Sequence, residues 1–384
     1  MGKNIVLKIL AIVLVLATFC MGVLVIRIYY GNMRLARAQE EQKKEREEEE
    51  KREAINQKNE KKNVTEKTIE KEKEEALEES YSKQDLCFVQ KKYDKYTYSK
   101  MVKDIDILSK LYEDKISVSV LTTTADSRNV YDISVGNLES DNQYIVTGSI
   151  HAREYITTKL VMMLMVDLLD LMDEDSDFLI HFVPMINPDG VSISQMGKKG
   201  IKNDFILSQV EQIAQNDGSS IEDREYLRQW KANANGVDLN RNFDAKWDEF
   251  EGNSYPSSER YKGSFPGSEN EAAALISLTQ NYPIKRTISY HTKGNVIYWY
   301  FAQTGELLEE TESFATRISN CTGYRMDADF ESLDPAGYKD WAICQMKIPS
   351  ITIEVGTGEN PVSEHQIDEI YERNKEVLNI LLEN

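Results

Sequence analysis

Four short stretches of this chain carry side chains that could hold a metal or hydrolyse a bond. The first is His151, Ala152, Arg153 and Glu154, an imidazole and a carboxylate three residues apart at the end of the apolar run Tyr144 to Ile150, which reads as a central strand. The second, GVDLNRNFD from Gly236 to Asp244, offers in Asn240 an amide and in Arg241 a fixed planar cation suited to a two-pronged grip on a carboxylate. The third places His291 at the end of the strand-like Ser289 to His291. In the fourth, Glu354 sits on the apolar run Thr352 to Val355, where a carboxylate is costly to bury without a task. His-x-x-Glu alone recurs by chance, so its weight comes from this company. Two histidines and one glutamate make a three-ligand zinc site that keeps an open position for water, and ligands bind at the carboxyl ends of strands in open α/β sheets.

The elements that must position these groups alternate along the chain. A helix is expected over Tyr98 to Tyr112. Strands follow at Ser117 to Leu121, Val130 to Val135 and Tyr144 to Ile150, and then a long apolar helix from Tyr155 to Met172. Phe178 to Met185 has a buried-strand pattern closed by a turn at Asn187, Pro188, Asp189 and Gly190. Later strands are expected at Thr287 to Tyr290, Val296 to Phe301 and Ser350 to Val355, with a last helix from Val362 to Leu382. This alternation predicts an α/β fold with a mixed, mostly parallel central sheet flanked by helices. Ile201 to Trp230 is a polar, partly helical insertion that either rims the cleft or decorates the surface.

The N-terminal part differs. Residues 1–8 read as a short cytoplasmic end. The uncharged run Ile9 to Ile26, eighteen residues, approaches the span of a bilayer core as a helix. A cleavable leader is the competing reading, but its apolar core is usually shorter and ends in small residues, which Phe19, Cys20 and Met21 do not supply. The expectation is therefore a retained single-pass transmembrane anchor in the cell membrane (9–26), a charged stalk or linker (27–84) and an extracytoplasmic domain (85–384). From Glu40 to Ser80, 27 of 41 residues are charged and apolar positions are too sparse for a heptad seam, so this stretch cannot fold by burial.

A formal charge of -19 argues against a nucleic-acid partner, which would need a basic surface. The four cysteines, Cys20, Cys87, Cys321 and Cys344, have no metal-like spacing. Cys321 and Cys344 could bridge in an exported domain or remain two separate buried thiols. His181, inside an apolar strand, and His365, on a charged helix, are expected to have no chemical role.

Five blocks in order, SIHARE at Ser149 to Glu154, NPDG at Asn187 to Gly190, GVDLNRNFD, SYH at Ser289 to His291 and TIEVG at Thr352 to Gly356, resemble the zinc metallocarboxypeptidase family, carboxypeptidase A-like, from Tyr93 to the C-terminus. Trp230 to Asn235 followed by GVDLNRNF is most similar to bacterial γ-D-glutamyl-diamino-acid peptidases. The resemblance implies that His151, Glu154 and His291 hold one Zn2+ and that Glu354 is the general base for the metal-bound water. It implies that Asn240 and Arg241 bind the carboxylate of the leaving residue and that Arg153 contacts the substrate. Lys231 follows Trp230 where many members carry an oxyanion-stabilising arginine, and supplies a single point of charge in place of a fork. In Ala336 to Trp341, which resembles the floor of the first primed-side pocket, Lys339 would favour an acidic group or a second carboxylate, as on diaminopimelate. Tyr324 and Tyr338 are the candidates for the family's mobile active-site tyrosine. The implied substrate is a peptide, in particular the peptidoglycan stem peptide. A general carboxypeptidase acting on C-termini shares the same site, and a catalytically silent peptide- or glycan-binding module is disfavoured because all four positions are filled.

Overall fold

The structure is a computed structural model that describes residues 81–383 apart from Glu174 and 329–333. The expected anchor Ile9 to Ile26, Cys20 and residues 27–80 of the expected stalk lie outside the described residues. Among the described residues no helix is long and apolar enough to cross a membrane. The last part of the expected stalk joins the folded region, where Lys83 forms an ion pair with Asp170 at 2.6 Å.

Eight strands form one sheet: β1 (Ile116–Thr123), β2 (Asn129–Gly136), β3 (Gln143–Thr147), β4 (Leu179–Val183), β5 (Ile284–His291), β6 (Val296–Tyr298), β7 (Arg325–Asp327) and β8 (Ser350–Glu354). Their spatial order is β1-β2-β4-β3-β5-β8-β6-β7. The middle of the sheet, β4-β3-β5-β8, is parallel, while β1, β2 and β6 run antiparallel to neighbours. This is the mixed α/β architecture that the alternation predicted. Every residue of β3 and β4 is buried, as expected of parallel strands covered on both faces. Along β3 the two-residue period sends Tyr144 and Val146 into one apolar core and Ile145 into the other.

After a single helical turn at Cys87–Gln90, the helices are α1 (Tyr98–Leu111), α2 (Ile156–Leu171), α3 (Pro188–Met196), α4 (Asp204–Asn216), α5 (Arg224–Arg228), α6 (Asn270–Asn281), α7 (Glu306–Thr322), α8 (Tyr338–Cys344), α9 (Ile367–Asn374) and α10 (Val377–Leu382). Helix α2 buries twelve of its sixteen residues. Each Leu, Met, Val or Ile among them contributes about 1.5–3 kcal/mol by leaving water, so α2 clamps the segment just after β3, where His151 lies. Its core includes Leu160, Val161, Leu164, Met165 and, from β4, Phe182.

Local chemistry accounts for several departures from the sequence reading. Asn187 to Gly190 opens helix α3 and is no closing turn: the Asn187 side chain accepts from the Gly190 N–H at 2.9 Å, and Pro188 occupies the first helical turn. Strand β3 stops at Thr147, and residues 148–150 carry the chain to His151 outside the ladder. Strand β6 ends at Tyr298, short of Phe301. Helices α6, α7 and α8 and strand β7 add to the expected elements. The expected final helix is broken into α9 and α10, because buried Asn374 turns its amide back to the Ile370 carbonyl at 2.7 Å and onto Tyr324 Oη at 3.1 Å. The insertion 201–230 contains α4 and α5. Cys87, Cys321 and Cys344 are free thiols, so Cys321 and Cys344 do not bridge.

Candidate metal centre and cleft

Three chain segments meet where the parallel strands end. His151 caps the start of a 3-10 turn, Ala152–Glu154, that precedes α2, and Glu154 is the last residue of that turn. His291 is the last residue of β5 and Glu354 the last of β8, and the parallel register sets the two side by side. The chain leaves β3 toward β4 on one side and leaves the neighbouring β5 toward β6 on the other, which makes the carboxyl edge between β3 and β5 the switch point of the sheet.

His151, Glu154 and His291 are buried, and one donor atom from each lies within 4.8 Å of the others. Glu154 Oε1 is 3.0 Å from His151 Nδ1, and Oε2 is 3.0 Å from His291 Nδ1 and accepts from the Thr292 N–H at 3.1 Å. The two Nδ1 atoms are 3.1 Å apart. Two hydrogens cannot both point into that gap, so at least one imidazole directs a lone pair at the point the carboxylate also faces. Such an enclosed, electron-rich set of two nitrogens and a carboxylate fits zinc. Burial alone would raise the Glu154 carboxyl, but the two imidazoles outweigh it and hold it below the ordinary carboxylate range.

Asp238 completes the centre from behind. Fully buried within GVDLNRNFD, it places Oδ1 3.2 Å from His151 Nε2 and Oδ2 3.2 Å from Lys231 Nζ. The contact is not aligned as a hydrogen bond, so Asp238 acts on the imidazole through its charge, favouring the proton on the far nitrogen and leaving the near one to face a metal. Burial pushes the Asp238 carboxyl up, yet Lys231, His151 and Arg241 hold it well below the usual range. Sequence reasoning missed this residue. The signal was present in Val237-Asp238-Leu239, an acid between apolar neighbours, the same cue that singled out Glu354.

A cleft of about 440 Å³ opens in front of the centre. His151, Glu154, His291, Glu354, Arg153, Lys231, Asn240, Arg241 and Lys339 all line it, so the metal, catalytic and substrate-binding residues expected from the sequence are brought together. Glu354 keeps an opening to the cleft, while its Oε2 is shut off from solvent without a hydrogen-bond partner. Burial, with the Glu154 charge, pushes its carboxyl up to about 8, against the opposing pull of His291 and Lys231. Arg153 donates to the Gln229 carbonyl at 3.1 Å. Asn240 is oriented by the Tyr338 N–H, which donates to its Oδ1 at 3.0 Å. Arg241 is paired with Asp334.

Two expectations change. Lys339 reaches the cleft, but it is no isolated charge: it donates to the Tyr300 carbonyl at 3.0 Å and pairs with Asp340. Tyr324 and Tyr338 are both fully buried, the first on Asn374 and the second on Thr279 at 2.8 Å, so neither serves as a mobile active-site tyrosine. The tyrosines on the cleft wall are Tyr298 and Tyr300. His181 has the bland role expected of it, held in the core by Asp132 at 2.8 Å and Gln143 at 3.1 Å. His365 stacks on Tyr93 at 5.1 Å.

Known proteins resemble this chain. A family model described as zinc carboxypeptidase matches residues 101–377. Gamma-D-glutamyl-L-diamino acid endopeptidase 1 of Lysinibacillus sphaericus is 33% identical over 307 residues, covering 75% of this chain and 71% of that protein. Among solved structures, bovine thrombin-activatable fibrinolysis inhibitor in complex with tick carboxypeptidase inhibitor aligns with a TM-score of 0.61 at 20% identity, over 76% of this chain and 97% of that one. Carboxypeptidase A from Helicoverpa armigera aligns with a TM-score of 0.60 at 16% identity, over 74% and 72%. At such identities the two structures bear on the fold alone.

Proposed function

The chain belongs to the zinc carboxypeptidase family, and from that premise we propose that it hydrolyses cell-wall stem peptides at the bond between a γ-D-glutamyl residue and a diamino acid such as diaminopimelate. It is a zinc metallopeptidase with one Zn2+, and His151, Glu154 and His291 are the residues that would hold the ion. The observation that carries the proposal is that these three converge with Glu354 on a cleft that also presents Arg241, Lys339 and Asp340. When bound, zinc acts as a Lewis acid that brings the acidity of water toward neutrality.

The chain's own residues account for the remaining chemistry. Glu354, as the carboxylate, takes a proton from the attacking water and returns it to the leaving nitrogen. Lys231, restrained by Asp238, directs positive charge at the oxygen where negative charge develops. Asn240 and Arg241 receive the carboxylate of the leaving residue, and Arg153 contacts the substrate. Lys339 and Asp340, side by side, offer both signs of charge, which complements the ammonium and carboxylate at the far end of diaminopimelate. The name of the Lysinibacillus relative supports the choice of bond. The apolar run Ile9 to Ile26 and the charged stretch after it support a peptidase tethered outside the cell membrane.

A second reading, release of C-terminal residues from ordinary peptides, is favoured by the Asn240 and Arg241 pair, which suits any terminal carboxylate. Zinc-loaded full-length chain assayed on γ-D-glutamyl-diaminopimelate peptides and on simple C-terminal peptides separates the two. The expected result is a higher kcat/KM on the first set; the opposite order rejects the cell-wall reading and leaves the carboxypeptidase.

A further inference from the structure

Four cations at the cleft are paired with acids, and the pairs differ in one respect: in Arg153–Glu259, as in Arg241–Asp334, the acid is exposed. In Lys231–Asp238 and Lys339–Asp340 the acid is buried. In Arg241–Asp334 the cation is 10% exposed and the acid 69%. A buried acid is fixed in place by the loss of its hydration if it lets go, whereas an exposed one exchanges its partner for water at little cost.

Arg241 itself is held firmly. Its Nη1 donates to the Asn240 carbonyl at 2.8 Å, and its guanidinium lies over the Phe250 ring at 5.0 Å. Nε is enclosed without an acceptor. Nη2 is the group that Asp334 takes. The carboxylate of Asp334 thus sits on the same donor that a carboxylate carried by the substrate would need, with the same charge and the same planar shape.

We propose that Asp334 is an internal competitor for the carboxylate position on Arg241, and so a specificity-determining residue. The inference rests on the reading of Arg241 as the group that receives the leaving residue's carboxylate. A ligand held by that carboxylate alone must displace Asp334 for little gain, while one with further contacts in the cleft displaces it readily. Asp334 therefore discriminates against simple free acids and tolerates primed-side residues that end in an amide or continue as a chain.

The test uses the zinc-loaded full-length chain and matched peptides whose leaving residue ends in a free carboxylate or in its amide. The quantity read is the ratio of kcat/KM for acid over amide, together with the acid-over-amide affinity ratio for the released residue by titration calorimetry. Asp334→Ala is expected to raise both ratios up to about fivefold, the span of a part-exposed ion pair, with kcat on the acid unchanged. Arg241→Gln is expected to lower both. If Asp334→Ala leaves the ratios unchanged while Arg241→Gln lowers them, the competitor role is overturned and the carboxylate site stands. If Arg241→Gln does not move them, the underlying reading of Arg241 fails, and the proposal with it.

Discussion

Replacing Asp238 by asparagine would test whether the metal centre depends on the buried acid behind it. The substitution keeps the shape and removes the charge that faces His151 Nε2 and Lys231 Nζ, each at 3.2 Å. At an effective dielectric constant of about 20, a full charge pair at that distance interacts by roughly 5 kcal/mol. Desolvation offsets much of this, and breaking a buried pair by removing one partner typically costs about 3–5 kcal/mol. The Lys231 arm, with a full charge, bears most of that loss, so the metal-free protein should melt at a lower temperature. The His151 arm acts on the metal: a neutral imidazole without its acid partner is a weaker and less well oriented ligand, and such losses reduce metal affinity about 10- to 100-fold. Zinc affinity is measured by competition with a chelator of known strength, melting by circular dichroism with and without zinc, and turnover on the peptides above. A variant with zinc affinity within about twofold of the parent, far short of the expected drop, would refute the role assigned to Asp238. If melting were unchanged as well, the pairing with Lys231 would carry no weight in the fold.

Two further outcomes are expected. Glu354→Gln keeps zinc and lowers kcat by about 10²–10⁴-fold, the usual range for a general acid–base group, whereas His151→Ala loses both metal and turnover; elemental analysis beside the peptide assay distinguishes them, and a fully active Gln variant rejects Glu354 as the base. Glu271, buried at the start of α6 and crowded by Glu269 and Asp189, has its carboxyl pushed up from 4.5 to about 8, chiefly by burial. Between those values the folded state binds the proton more tightly than the unfolded chain, so this residue makes stability fall as pH rises through the window. Glu271→Gln should flatten that decline and stabilise the protein by a few kcal/mol at pH 8; denaturant titrations at pH 5 and pH 8 that move in parallel for parent and variant would exclude it.

By itself the sequence determined the chemistry on offer and most of the frame. His151 and Glu154 are close in the chain, so their spacing already implied one site, and the β-branched runs before His291 and through Glu354 located both at strand ends. These signals are local, and local periodicity is what a sequence displays. The tertiary structure decided which distant groups share a point. Parallel pairing of β5 with β8 sets His291 beside Glu354, and the return of GVDLNRNFD behind the metal ligands places Asp238 on His151 and Lys231 at once. Burial removed Tyr324 and Tyr338 from the cleft, and Asp340 compensated the charge of Lys339. No periodicity encodes such contacts, because they arise from how elements far apart in the chain pack, and packing also sets how much water each charge keeps.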